Sequence, residues 1–145
     1  TSSVVNAPAA KVWARVRDFN GLPGWHPAIG ESRIENDEPA DKVGCIRNFR
    51  LRNGDRIREQ LLGLSDYDMF CTYSILESPM GVENYVATLR LTPVTDGQRT
   101  FLEWTAEFDC AADVRKLNPV IAPTISTPGV SSSTVRTFLA TSSVR

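Results

Sequence analysis

Between Ile29 and Cys110 the apolar residues recur with period two, and turn residues separate the segments. Alternation of this kind builds strands with one buried face and suits no helix of useful length. Six strands are predicted there, roughly Ile29–Glu35, Gly44–Leu51, Arg56–Leu64, Met69–Leu76, Val82–Val94 and Arg99–Asp109. Their connections are short, so successive strands are expected to pair as an antiparallel meander.

Two turns set the registers of the strands they join. Treating Asp96-Gly97 as a two-residue hairpin loop places Leu91 opposite Leu102, Leu89 opposite Trp104, Ala87 opposite Ala106 and Tyr85 opposite Phe108 on one apolar face. The other face then carries Arg90 opposite Glu103 and Thr88 opposite Thr105, as a solvated surface should. The same two-residue geometry fails at Asn53-Gly54, because it would turn Phe49 and Leu51 away from Ile57 and Leu61. A three-residue loop with Gly54 at positive φ restores the match, setting Leu51 against Ile57 and Phe49 against Glu59. Arg47 and Glu59 are thereby placed on the apolar face, with their backbones diagonal to one another.

Ahead of the meander, Ser2–Val5 reads as a short strand. Ala9–Arg17 reads as an amphipathic helix, capped by Asn6 with Pro8 near its first turn. Leu22–Pro27 has room for a second helical turn. Behind the meander the character changes. Pro119, Pro123 and Pro128 interrupt helices, eleven of the last twenty-two residues are Ser or Thr, and Val130–Ala140 keeps a weak helical stripe. A single domain over residues 1–145 is expected, with an atypical tail over 111–145.

Charge and cysteine content remove several function classes. Sixteen basic residues against seventeen acidic ones leave no basic footprint for nucleic acid. No apolar run is long enough for a membrane span, and no leader pattern opens the chain, which points to a cytoplasmic protein. Cys45, Cys71 and Cys110 form no CxxC pair, and Cys45 and Cys71 fall too far apart for a bridge. With one histidine, His26, a metal site is not expected, and no cofactor is implied.

The order of these pieces is distinctive. Strand, helix, Trp25-His26-Pro27, Arg47 ahead of Asn53-Gly54, Glu59-Gln60-Leu61-Leu62, Glu77-Ser78-Pro79, Asn84-Tyr85 and Ala87-Thr88-Leu89 resemble the START-like SRPBCC superfamily, and within it the bacterial polyketide cyclase/dehydrase-like members. The resemblance covers about residues 2–109. It implies an α+β helix-grip fold: a curved seven-stranded antiparallel sheet, short N-terminal helices, a C-terminal helical segment that is here broken or atypical, and a ligand cavity between sheet and helices. The lining would come from Phe49, Ile57, Tyr73, Tyr85, Leu89 and Trp104, with Trp25 near the mouth.

Three functions follow as expectations. The first is binding of an apolar small molecule, aromatic, lipid-like or polyketide-like, by a monomer or homodimer. The second is a metal-free cyclase or dehydratase with Glu59 as general base and Tyr73, Arg47 or His26 polarising a carbonyl. The third is a protein-interaction module of the chaperone-activator type, against which the outward Arg90, Glu103 and Glu107 argue. For Glu59 and Arg47 a mutual ion pair or a ligand-orienting role is favoured over catalysis, since buried charges are usually paired. His26, in a connection, is expected to cap and pack more readily than to shuttle protons.

Overall fold

The computed structural model describes residues 2–110 and 133–136. β1 (Ser2–Val5) leads into helix α1 (Ala9–Val16), and a 3-10 turn (Leu22–Gly24) precedes β2 (Ile29–Ile34). The meander follows as β3 (Ile46–Leu51), β4 (Arg56–Ser65), β5 (Phe70–Glu77), β6 (Val82–Val94) and β7 (Arg99–Cys110). In space the seven strands run β1-β7-β6-β5-β4-β3-β2, all pairings antiparallel. This is the expected helix-grip sheet with its N-terminal helix.

The β6–β7 register is the expected one from Val94↔Arg99 to Val86↔Glu107, including Leu89↔Trp104 and Leu91↔Leu102. Two details differ. The connection comprises residues 95–98 and not Asp96-Gly97 alone, with positive φ at Gly97 and Gln98. Farther along, the ladder slips at a bulge between Glu83 and Val86, where Asn84 adopts φ 51°. Tyr85 therefore leaves the ladder before it can pair with Phe108, but the two rings still stack at 5.6 Å.

At the β3–β4 turn a three-residue loop with Gly54 at φ 99° forms as expected, but it is centred one residue earlier, on Arg52-Asn53-Gly54. Leu51 and Asp55 close it, the Leu51 N–H donating to the Asp55 carbonyl at 2.8 Å. The face parity survives and the partners move by two: Phe49 faces Ile57, and Arg47 faces Glu59 directly instead of diagonally. Further register breaks in β2–β3 and β4–β5 bend their strands.

α1 lies against β6 and β7. Pro8, not Asn6, occupies its N-cap, and no side chain caps it. Thr100, fully buried, donates its hydroxyl to the Ala7 carbonyl at 2.7 Å and so ties β7 to the helix start. The other end is held by Asp66 in the β4–β5 turn, which accepts from the Trp13 indole at 2.7 Å and from Arg17 at 2.8 and 3.0 Å. Asp66, although it lies in an exposed turn, is thus the anchor of the helix.

Within the tail the structure differs from the expected helix. Ser133–Arg136 (β8) is extended and pairs antiparallel with β7 from Thr105 to Phe108. A helix was expected across Val130–Ala140, but the β-branched Thr134 and Val135 favour a strand, and four-residue β1 leaves that stretch of the β7 edge open. The remainder of the expected C-terminal helical segment lies outside the described residues.

Candidate functional site

Two apolar clusters make up the core. The larger gathers Trp13 and Phe19 from the helical side with Leu61, Tyr73, Tyr85, Leu89, Leu91, Leu102 and Phe108 from the sheet. The smaller joins Leu22, Ile29, Phe49, Leu51 and Ile57, and Trp25, Ile75 and Met80 pack against both. Where the clusters meet they do not fill space completely. A hollow of about 50 Å³ remains, walled by Leu22, Ile29, Phe49, Ile57, Ile75 and Met80 with the polar-tipped His26, Arg47, Glu59, Tyr73, Tyr85 and Trp104.

The structure brings eight sequence-nominated residues to this hollow: His26, Arg47, Phe49, Ile57, Glu59, Tyr73, Tyr85 and Trp104. Leu89 is buried in the larger cluster and is not among the wall residues. Trp25 is also outside the wall, but its ring lies 6.2 Å from Trp104 and 5.8 Å from His26, both of which are in it. Sequence reasoning missed Leu22, Ile29, Ile75 and Met80. Ile75 continues the alternation of Cys71 and Tyr73 and was available to it, whereas Met80 sits in a turn with no periodicity to read.

At the floor of the hollow, Arg47 and Glu59 are each 5% exposed. One carboxylate oxygen, Glu59 Oε2, accepts from Arg47 Nε at 2.7 Å and lies 2.5 Å from Nη2, while Nη1 donates to the Phe19 carbonyl at 2.6 Å. All three guanidinium nitrogens are therefore engaged within the protein. The guanidinium also lies 4.0 Å from the centre of the Phe19 ring and 4.8 Å from that of Tyr73, a desolvated cation against two aromatic faces. Burial pushes the Glu59 carboxyl above the usual carboxylate range, against the opposing pull of Arg47's charge and hydrogen bonds.

Above this pair the Trp104 indole N–H donates to the Tyr73 hydroxyl at 2.9 Å. That bond occupies an acceptor site on the oxygen and leaves the Tyr73 O–H as a donor. Burial raises the pKa of Tyr73 and of Tyr85, so both keep their protons across the physiological range. His26 accepts the Ala28 N–H on Nδ1 at 3.3 Å, which puts the proton of the neutral ring on Nε2. Its pKa is lowered, first by burial and second by the positive charge of Arg47. The hollow is thus mainly apolar, with neutral hydroxyl and imidazole donors and an internally balanced ion pair.

Cys45 and Cys71 are buried free thiols, and burial pushes the Cys71 thiol up to about 11. Among the described residues no three His, Cys, Asp or Glu side chains cluster as a metal site would need, and no helix is long and apolar enough to cross a membrane.

Comparison with known proteins places this architecture. Protein XoxI from Bacillus cereus is 28% identical over 78% of this chain and 76% of its own, with a TM-score of 0.70. A protein from Bacillus thuringiensis superposes with a TM-score of 0.73 at 26% identity, over 83% of this chain and 85% of its own. One from Thermobifida fusca is 30% identical over 77% of this chain and 72% of its own, with a TM-score of 0.68. The family described as polyketide cyclase / dehydrase and lipid transport matches residues 1–130, well past the strands that carried the resemblance in sequence. The chain belongs to this polyketide cyclase / dehydrase and lipid transport family, of the SRPBCC superfamily.

Proposed function

We propose that the protein binds an apolar small molecule at the hollow between the sheet and the Leu22–Ala28 connection. One observation carries this reading: the two core clusters meet around unfilled space whose wall combines aliphatic and aromatic side chains with a few neutral donors. Ligand sites have this composition, apolar walls with a small number of placed polar groups. Family membership supports the same class of ligand.

At about 50 Å³ the hollow has room for one or two waters, while ligand pockets commonly span roughly 300–1,000 Å³. Binding therefore requires widening. The wall residues able to move are Leu22, His26 and Met80, outside the strands, and Tyr85 at the β6 bulge, because the others are held in hydrogen-bonded ladders. Titration with the neutral fluorophore N-phenyl-1-naphthylamine tests the reading. Saturable binding at one site per chain, weakened by Met80→Trp at the wall, is the expected result; emission that rises without saturation would sink it.

Glu59 supports a second reading, a cyclase or dehydratase with this carboxylate as base, because burial raises its pKa beside the hollow. That reading requires Glu59→Gln to abolish turnover of a carbonyl substrate while the fluorophore still binds.

A further inference from the structure

The three tryptophans differ in one respect. The Trp13 indole N–H is bonded to Asp66 and that of Trp104 to Tyr73, whereas Trp25 Nε1 is buried and has no hydrogen-bond partner among the described residues. A buried N–H left in this state costs free energy that an incoming acceptor would return. Trp25 is half-buried on the connection that must move to admit a ligand, one ring removed from the wall residues Trp104 and His26.

Building on the binding reading above, we infer that Trp25 Nε1 is the anchor for the ligand's oxygen, and that the ligand class is an uncharged molecule bearing a carbonyl or ether acceptor on an apolar body. The remaining polar groups select against an anion. Each guanidinium nitrogen of Arg47 already has a partner inside the protein, Glu59 contributes a carboxylate to the same wall, and no other Lys or Arg among the described residues lines the hollow. A carboxylate ligand would be desolvated there beside an ion pair whose charge is already balanced, with no further cation among the described residues to offset it. A pure hydrocarbon would leave the indole N–H as orphaned as before.

Indole ¹⁵N–¹H spectra of the full chain provide the test, because Trp13 and Trp104 act as internal references and Trp25→Phe assigns the third peak. Three probes of similar size separate the outcomes: acetophenone, ethylbenzene and benzoate. Expected are a downfield movement of the Trp25 proton on adding acetophenone, still peaks for Trp13, and affinity for acetophenone about tenfold above that for the other two. Trp25→Phe should remove that tenfold preference, so that the variant binds acetophenone and ethylbenzene alike; should this variant not fold, the wild-type indole shift decides alone. Equal binding of acetophenone and ethylbenzene with a static Trp25 peak overturns the anchor while apolar binding stands. So does a Trp25 proton already downfield before any probe is added. Benzoate binding as tightly as acetophenone overturns the neutral class. Failure of all three probes to bind removes the binding reading and the anchor with it.

Discussion

Arg47 and Glu59 face each other across β3 and β4 on the buried side of the sheet, joined through a single carboxylate oxygen 2.7 Å from Nε and 2.5 Å from Nη2. Removing one partner of such a pair strands the other without water. Arg47→Met is expected to destabilise by about 3–5 kcal/mol, and Arg47→Met combined with Glu59→Leu by clearly less than the sum of the single changes. Urea unfolding of the two single variants and the double variant measures this; additive losses would show that the charges do not depend on each other.

Tyr73 joins the floor of the hollow to its far wall through the Trp104 indole. Tyr73→Phe keeps the ring over Arg47 and deletes only the hydroxyl. A loss of about 1–3 kcal/mol is expected, with an upfield move of the Trp104 indole proton as the signature of the lost bond to Tyr73. Unchanged stability together with an unchanged indole resonance would show that the bond is not made in solution.

How far the sequence carries depends on how local the cause is. The Leu89–Trp104 and Leu91–Leu102 pairings were legible because one turn sets the register of a long hairpin, and alternation confirms it independently. The slip at Asn84 was not, since a left-handed backbone at a non-glycine leaves no mark in hydropathy. Glu59 stood out as a carboxylate on an apolar face, and Arg47 with it, but their direct opposition hinged on which three residues form the Gly54 loop. The Asp66 clamp on Trp13 and Arg17 spans about fifty residues of chain, and nothing in the local pattern of Ser65-Asp66-Tyr67-Asp68 distinguishes it from an ordinary turn.

Gly54 holds the β3–β4 register through a φ of 99°, with open space where a Cβ would stand. The penalty for a side chain there is conformational and not steric contact. Gly54→Ala is expected to cost about 1–3 kcal/mol, measured as a lowered urea midpoint, with fluorophore affinity falling only if Arg47 and Glu59 lose their opposition. A variant as stable as the wild type would mean that the loop relaxes to another turn without disturbing the ladder.

His26 gives the fold a pH dependence with a definite sign. Its pKa is lowered in the folded protein by burial and by Arg47, so the unfolded chain binds the proton more readily than the native one. Stability contributed by the neutral ring is complete above the unfolded value of about 6.5 and declines as pH falls below it toward the lowered folded pKa. Protonation also takes away the Nδ1 lone pair that accepts the Ala28 N–H, loosening the connection that carries Trp25. Glu59, whose folded pKa is raised, acts in the opposite direction, and Glu35, held down to about 2 by Arg58, loses its contribution only below the ordinary carboxylate range. A comparison with His26→Phe over the interval between pH 7 and pH 5.5 therefore isolates the histidine. Urea midpoints of the wild type are expected to fall across it, and those of His26→Phe to fall less. Equal slopes for the two proteins would place the titrating group elsewhere and would mean that the His26 ring is not held neutral by its surroundings.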